Sequence, residues 1–336
     1  MSKEAQIFPT HTPELFQTAV KRAAELLRAG EVIAVPTETV YGLAANALNA
    51  QAVGRIFEVK GRPAENPVIV HVANLAMARH CASQWPNLAE KLAASFWPGP
   101  LTLVLPRSPE IPDIVTARGP TVGLRWPGHP FTQALIRDCE FPLAVPSANP
   151  FGQVSPTNAE HVRKMLGDKI PLIVEGGQSQ VGIESAVVDL TVAPPQLLRP
   201  GIIPVESLIA VIGEVRLANP AGPGTLKSPG MLPRHYAPKA KVLIWSWTDE
   251  VELRSQMASR GLQLDQTHVI AHTKIPGDLG FGRVSLIPHD PPAFARAIYA
   301  ELHKCDEAGA RWIVIEAPPE TSAWHAIADR LRRAAS

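Results

Sequence analysis

The chain has 336 residues, 32 Lys and Arg against 31 Asp and Glu for a formal net charge of +1, 46% apolar residues and three cysteines. Its length exceeds the ~250 to 300 residues at which a single hydrophobic core stops growing, so two domains are expected. The balanced charge excludes a long-range field able to hold a polyanion, and the scattered Cys81, Cys139 and Cys305 exclude a disulfide framework or a structural zinc site. The N-terminal MSKEAQIFPTHTPELF lacks an apolar h-region and no stretch approaches ~18 uninterrupted apolar residues, so a cytoplasmic protein without signal peptide or membrane span is expected. Its 34 prolines, about twice the usual ~5% frequency, sit beside short apolar runs and predict sharply stopped strands and fixed loops.

Thr12 and Pro13 start a predicted helix in which Leu15, Ala19, Ala23 and Leu27 repeat every four residues before Gly30. It leads into a strand at 31–36, EVIAVP, whose apolar run reads as buried on both faces. Further strands are predicted at 67–73, 101–105, 121–126, 142–146, 171–175, 184–190 and 195–199. Helices are predicted at 87–97 and 130–138, and at 157–167 from a T-x-x-E capping box on Thr157. The gaps between 171 and 199 are too short for helical crossovers, so some strand pairs must be antiparallel and the sheet mixed. Residues 219–238 carry Pro and Gly with almost no apolar periodicity and read as a linker. From 241 onward, strand (241–246, 268–272, 312–317) and helix (250–260, 293–309, 323–335) patterns alternate as in a small parallel α/β unit. The predicted domains are 1–213, a linker at 214–239, and 240–336.

Several site signatures are missing: no G-x-x-x-x-G-K-[ST], complete G-x-G-x-x-G, G-x-S-x-G or H-E-x-x-H occurs. Four polar segments at strand ends remain. PTETVYG (36–42) either serves a ligand or builds a turn. KGRPAENP (60–67) holds Lys60 and Arg62 in a short, stiff loop suited to an anion, although an isolated K-x-R is more often a solvated pair. Beyond it, His71 faces opposite to Val70 and Val72. PSANPFGQVSPTN (146–158) offers Ser147, Asn149 and Ser155. GIES (182–185) and RPG (199–201) bring Ser185 and Arg199, and Arg125 adds a further cation. Together these place cations and small polar groups on one domain, as a nucleoside triphosphate and a carboxylate substrate require; phosphoryl and nucleotidyl transfer depend chiefly on positioning and charge stabilisation.

The segments PTETVYGLAANA (36–47), KGRPAENPVIVHV (60–72), FWPGPLTLVL (96–105), PSANPFGQVSPT (146–157), GIESAVVD (182–189), LRPG (198–201) and SPGMLPRHYAP (228–238) resemble the Sua5/YrdC family in its longer form. The resemblance implies a YrdC-like twisted mixed α/β sheet with helices, followed by a smaller Rossmann-like parallel α/β domain. It implies L-threonylcarbamoyladenylate synthase activity: a nucleotidyltransferase that takes ATP, L-threonine and bicarbonate, with Mg2+ accompanying ATP, for tRNA modification. The implied partners are the downstream tRNA threonylcarbamoyltransferase machinery and a weak contact with tRNA. Carried over by motif, Lys60 and Arg62 are catalytic. The nucleotide is implied to lie against Lys60, Arg62, Asn66, Thr121, Ser147, Asn149, Ser155, Arg199, His235 and Tyr236, the linker acting as a lid. L-Threonine is implied to lie against Thr39, His71, Arg125 and Ser185, and no protein side chain is assigned to metal. Two positions depart from the family pattern: Ala44 where GLGANA is usual, and Ala186 where GIEST is usual. The competing reading, an RNA-binding module without its own adenylation activity, lacks an aromatic-interleaved basic stripe.

Overall fold

The computed structural model describes residues 4–218, 235–277 and 279–336, so 219–234 of the predicted linker lie outside the described residues. Those described form two compact units, 4–151 with 155–218 and 152–154 with 235–336.

In the first unit a strand that the sequence does not announce, β1 (Gln6–Pro9), precedes α1 (Pro13–Arg28). The predicted start of α1 is correct: the Thr12 hydroxyl accepts the Leu15 N–H at 3.3 Å, and Ala19, Val20, Ala23, Ala24 and Leu27 are buried. Next come β2 (Ile33–Val35), β3 (Gly42–Asn46) and α2 (Ala50–Lys60). The side chain of Asn49 caps α2, and Gly61 ends it in the left-handed region at φ 60°. Lys60 therefore belongs to the last turn of a helix and not to a loop, which corrects the expectation for 60–67 at its first residue. Then follow β4 (Ile69–His71), α3 (Leu75–Cys81), α4 (Asn87–Phe96), β5 (Leu101–Pro106), β6 (Thr121–Arg125), α5 (Pro130–Cys139) and β7 (Leu143–Ala144).

A second correction concerns α6 (Ala159–Leu166): its cap is Asn158, whose side-chain oxygen accepts the His161 N–H at 2.9 Å. Thr157 stands outside the helix, with its N–H donating to the His161 ring, so the expected capping box does not form. The unit closes with β8 (Leu172–Glu175), β9 (Ala186–Asp189), β10 (Gln196–Arg199), α7 (Val205–Ile212) and β11 (Arg216–Leu217), which takes two residues of the predicted linker into the sheet.

The strands align as β1-β8-β2-β3-β7-β4-β6-β5-β9-β10-β11. The sheet is mixed, as expected: β4 runs parallel to β6, whereas β10 pairs antiparallel with β9. Strand alternation sorts the side chains. Val70, Val72, Val122, Leu124, Leu101, Leu103, Ala186 and Val188 join one apolar cluster, which turns His71, Arg125 and Thr102 to the opposite face. Ala44, 0% exposed, joins a second cluster with α1 and α5. Both departures from the family pattern thus bury a methyl group in apolar packing.

The second unit holds β12 (Lys241–Trp245), α8 (Glu250–Ser259), β13 (Thr267–Ala271), β14 (Arg283–Leu286), α9 (Pro291–Glu307), β15 (Trp312–Glu316) and α10 (His325–Ala334). Its strands are all parallel in the order β12-β15-β13-β14, as the alternating pattern predicts, with β14 the one strand unannounced. No helix among the described residues is long and apolar enough to cross a membrane.

Candidate active site

The polar face of the first unit's sheet carries three of the residues, His71, Arg125 and Arg199. His71 and Arg125 sit opposite each other where β4 pairs with β6, each ending its strand. Arg199 reaches the same face through a register shift: β10 aligns Leu197 with Val188 on the apolar side, then Arg199 with Val187 on the other. A bulge of this kind bends the strand locally and re-aims a side chain. There Arg199 donates from Nε to the Ser185 carbonyl at 3.0 Å and from a terminal nitrogen to its hydroxyl at 3.1 Å; that hydroxyl also lies 2.8 Å from Thr102 Oγ1.

The Lys60 ammonium, at the end of α2, donates to the main-chain oxygens of Ser147 and Asn149, both at 2.5 Å. The Phe151 N–H returns a bond to the Lys60 carbonyl at 2.8 Å, closing the 147–151 loop over the helix end. Arg62 donates to the Asn66 carbonyl at 3.3 Å and the Pro67 carbonyl at 2.8 Å, and its guanidinium lies over the Phe151 ring. Burial, then the adjacent Arg62 charge, holds the Lys60 pKa well below that of an ordinary lysine. Two basic side chains, held in one buried corner by four backbone carbonyls, form a ready counter-charge for a polyanion.

Arg125 forms the second corner. It donates to the Thr39 hydroxyl at 2.9 Å and to the Gly99 carbonyl at 3.3 Å, and it pairs with Glu38 at 2.6 Å. Beside it, burial and the Arg125 charge push His71 well below the usual histidine range, so the ring is neutral at physiological pH. Ser155 donates to the Glu184 carboxylate at 2.6 Å. Asn149 is buried, its amide nitrogen donating to the Pro150 carbonyl at 2.9 Å.

The structure therefore brings Lys60, Arg62, Asn66, Ser147 and Asn149 together at one corner, Thr39, His71 and Arg125 at another, and Ser185 with Arg199 at a third. Thr121 shares a face with Arg125 but starts β6, four residues or about 13 Å away. Between them lies Gly123, where a Cβ would meet Thr102 at 3.3 Å. His235 and Tyr236 belong to the second unit. There the His235 N–H donates to the Arg333 carbonyl at 3.2 Å, and Tyr236, at φ 61°, stacks on Tyr299 and lies under the Arg330 guanidinium.

Sequence reasoning passed over Thr102 and Glu184, and left Glu38 as one of the groups of 36–42 that either serve a ligand or build a turn. The available signal for Thr102 is a single polar residue within the apolar run LTLVL; Glu38 and Glu184 lie inside segments already singled out. Among the described residues no three His, Cys, Asp or Glu side chains are grouped to hold a metal ion.

A family model described as Telomere recombination (Sua5_yciO_yrdC) matches residues 25–201, and one described as Threonylcarbamoyl-AMP synthase, C-terminal domain (Sua5_C) matches 203–336. A Pyrococcus abyssi protein named threonylcarbamoyl-AMP synthase is 42% identical over 94% of this chain and 93% of its own length. A Bacillus subtilis protein of the same name is 40% identical over 97% and 94%. The crystal structure of P. abyssi Sua5 complexed with L-threonine superposes with a TM-score of 0.90 at 39% identity, covering 99% of this chain and 98% of that one.

Proposed function

The chain belongs to the Sua5 family in its long, two-domain form, and from that premise we propose that it is a threonylcarbamoyl-AMP synthase acting as a nucleotidyltransferase. It takes L-threonine, bicarbonate and ATP and releases threonylcarbamoyl-AMP and pyrophosphate. The observation that carries this reading is the presence of two distinct cationic corners in the first unit: Lys60 with Arg62 at the end of α2, and Arg125 beside neutral His71 at the ends of β6 and β4.

Arg125 receives the threonine carboxylate, with Thr39, His71 and Ser185 around the amino acid. The neutral threonine amine forms a bond to the carbon of bicarbonate, and water leaves with the bicarbonate hydroxyl and an amine proton to give the carbamate. A carbamate oxygen then forms a bond to the α-phosphorus while the bond from that phosphorus to the bridging oxygen breaks, and the electron pair leaves with pyrophosphate. No enzyme nucleophile takes part. Lys60 and Arg62 stabilise the charge that grows on the leaving pyrophosphate, where fixed cations act most strongly in a site shielded from water. Asn66, Thr121, Ser147, Asn149, Ser155 and Arg199 line the nucleotide. Mg2+ enters with ATP as part of the substrate.

The product supplies the threonylcarbamoyl group of N6-threonylcarbamoyladenosine at tRNA position 37, through a separate transferase. The test is pyrophosphate release from ATP with threonine and bicarbonate omitted in turn, followed by identification of the adenylate. Release that needs neither co-substrate overturns the assignment.

A further inference from the structure

Arg125 is held from three sides by groups of two different loops. Thr39 and Glu38 come from the connection between β2 and β3, and Gly99 from that between α4 and β5. The Arg125 and Glu38 side chains are only 5% and 13% exposed. Glu38 is itself anchored at both ends. Its main-chain carbonyl accepts the Val181 N–H at 2.7 Å, and its carboxylate packs against Gly128, where an added Cβ would lie 3.4 Å from it. Burial raises the Glu38 pKa, but the Arg125 charge and the Gly128 N–H together outweigh it, so the carboxyl stays ionised.

A guanidinium has five N–H groups; Gly99 and Thr39 accept one each from Nε and Nη1, while Glu38 pairs with Nη2 as an ion pair at 2.6 Å. Both terminal nitrogens thus keep at least one N–H for a ligand, as a single carboxylate needs for a parallel pair. The contrast with Lys60 is chemical: its ammonium meets neutral carbonyl oxygens, whereas Arg125 meets a full negative charge.

We infer that Glu38 is a positioning residue that fixes the Arg125 guanidinium and tempers its charge, so that this corner takes the carboxylate of an amino acid and refuses a triphosphate. The inference rests on the reading of Arg125 as the partner of the threonine carboxylate.

Steady-state kinetics on the full chain test it, with KM measured separately for threonine and ATP in Glu38→Gln, Glu38→Asp and Arg125→Gln. Glu38→Gln keeps the shape and removes the charge. It is expected to raise the threonine KM about tenfold or more, leave the ATP KM within about twofold, and make excess ATP competitive with threonine. Glu38→Asp keeps the charge and should show no such competition. An unchanged threonine KM in Glu38→Gln overturns the inference, as does an equal rise in both KM values. If Glu38→Gln fails to fold, by circular dichroism, Glu38→Asp decides: competition between ATP and threonine in that variant overturns the inference, and its absence with a raised threonine KM supports it. Arg125→Gln separates the two readings. A raised threonine KM there with no effect in Glu38→Gln sinks only the role of Glu38, whereas an unchanged value removes the threonine site itself.

Discussion

The Lys60 ammonium, on the last helical turn of α2, donates to the Asn149 carbonyl at 2.5 Å, so a helix end and a loop 89 residues further along form one corner. The charge is held by the backbone it binds and needs no carboxylate partner, which leaves it available to an anionic ligand. Deleting either member of the Lys60 and Arg62 pair should therefore remove the chemistry. Lys60→Ala and Arg62→Ala are each expected to lower pyrophosphate release by at least ~100-fold, the scale of losing one fixed charge-stabilising donor. The Lys60 variant also removes the hydrogen bonds from Lys60 to the Ser147 and Asn149 carbonyls, costing about 1–3 kcal/mol in urea unfolding. Full threonine-dependent activity in both variants would contradict the phosphate site.

Lys60 also predicts a proton signature. Burial and Arg62 depress its pKa in the free protein, and a bound triphosphate favours the ammonium and raises it. ATP binding should then take up a proton, and the uptake should grow as pH rises from the depressed value toward the ordinary lysine range. Calorimetry in buffers of different ionisation enthalpy reads this directly; binding heats independent of buffer at pH 7, 8 and 9 would count against it.

Close backbone packing at Gly201 gives a third prediction. A Cβ there would lie 2.2 Å from the Ala186 nitrogen and 2.9 Å from the Ser185 carbonyl carbon, both main-chain atoms that cannot swing aside. Gly201→Ala should cost about 1–3 kcal/mol by overpacking and displace Ser185 from Arg199. Wild-type stability and threonine KM in this variant would show that the two segments separate freely.

In the second unit, Glu316 accepts the main-chain N–H groups of His272 and Thr273 at 2.7 and 2.8 Å, and also that of Lys274. Burial raises its pKa, but these donors and the Thr273 hydroxyl lower it further, so the net shift is below the ordinary 4.5. The unfolded chain thus takes the proton first as pH falls. The stabilisation is complete above about pH 4.5 and is lost as pH drops through the folded value. Glu316→Gln should be less stable at pH 7 and converge on wild type in acid. A constant difference from pH 7 to pH 3 would contradict this.

The elements legible in the sequence are those whose apolar runs are bounded by proline or capped by a polar residue, such as α1 and β2. The helix α2 escapes because Gly54 and three β-branched residues weaken its local preference, although it is the element that places Lys60. The strand β3 is mostly alanine and glycine, and it exists through pairing with β2 and β7 and not through propensity. At the site, the segments carrying Ser147 and Ser185 are visible as polar loops after apolar runs, whereas Lys60 ends a helix and Arg125 ends a strand. The aim of Arg199 is not visible, since it depends on a bulge, nor is the pairing of Glu38 with an arginine far along the chain.

The most direct measurement is a structure of the full chain with a non-hydrolysable ATP analogue and L-threonine. Triphosphate oxygens within hydrogen-bonding distance of Lys60 Nζ and the Arg62 guanidinium, with the amino-acid carboxylate on Arg125, are the predicted result. A triphosphate seated away from Lys60 and Arg62, or the carboxylate on those two residues, would contradict it.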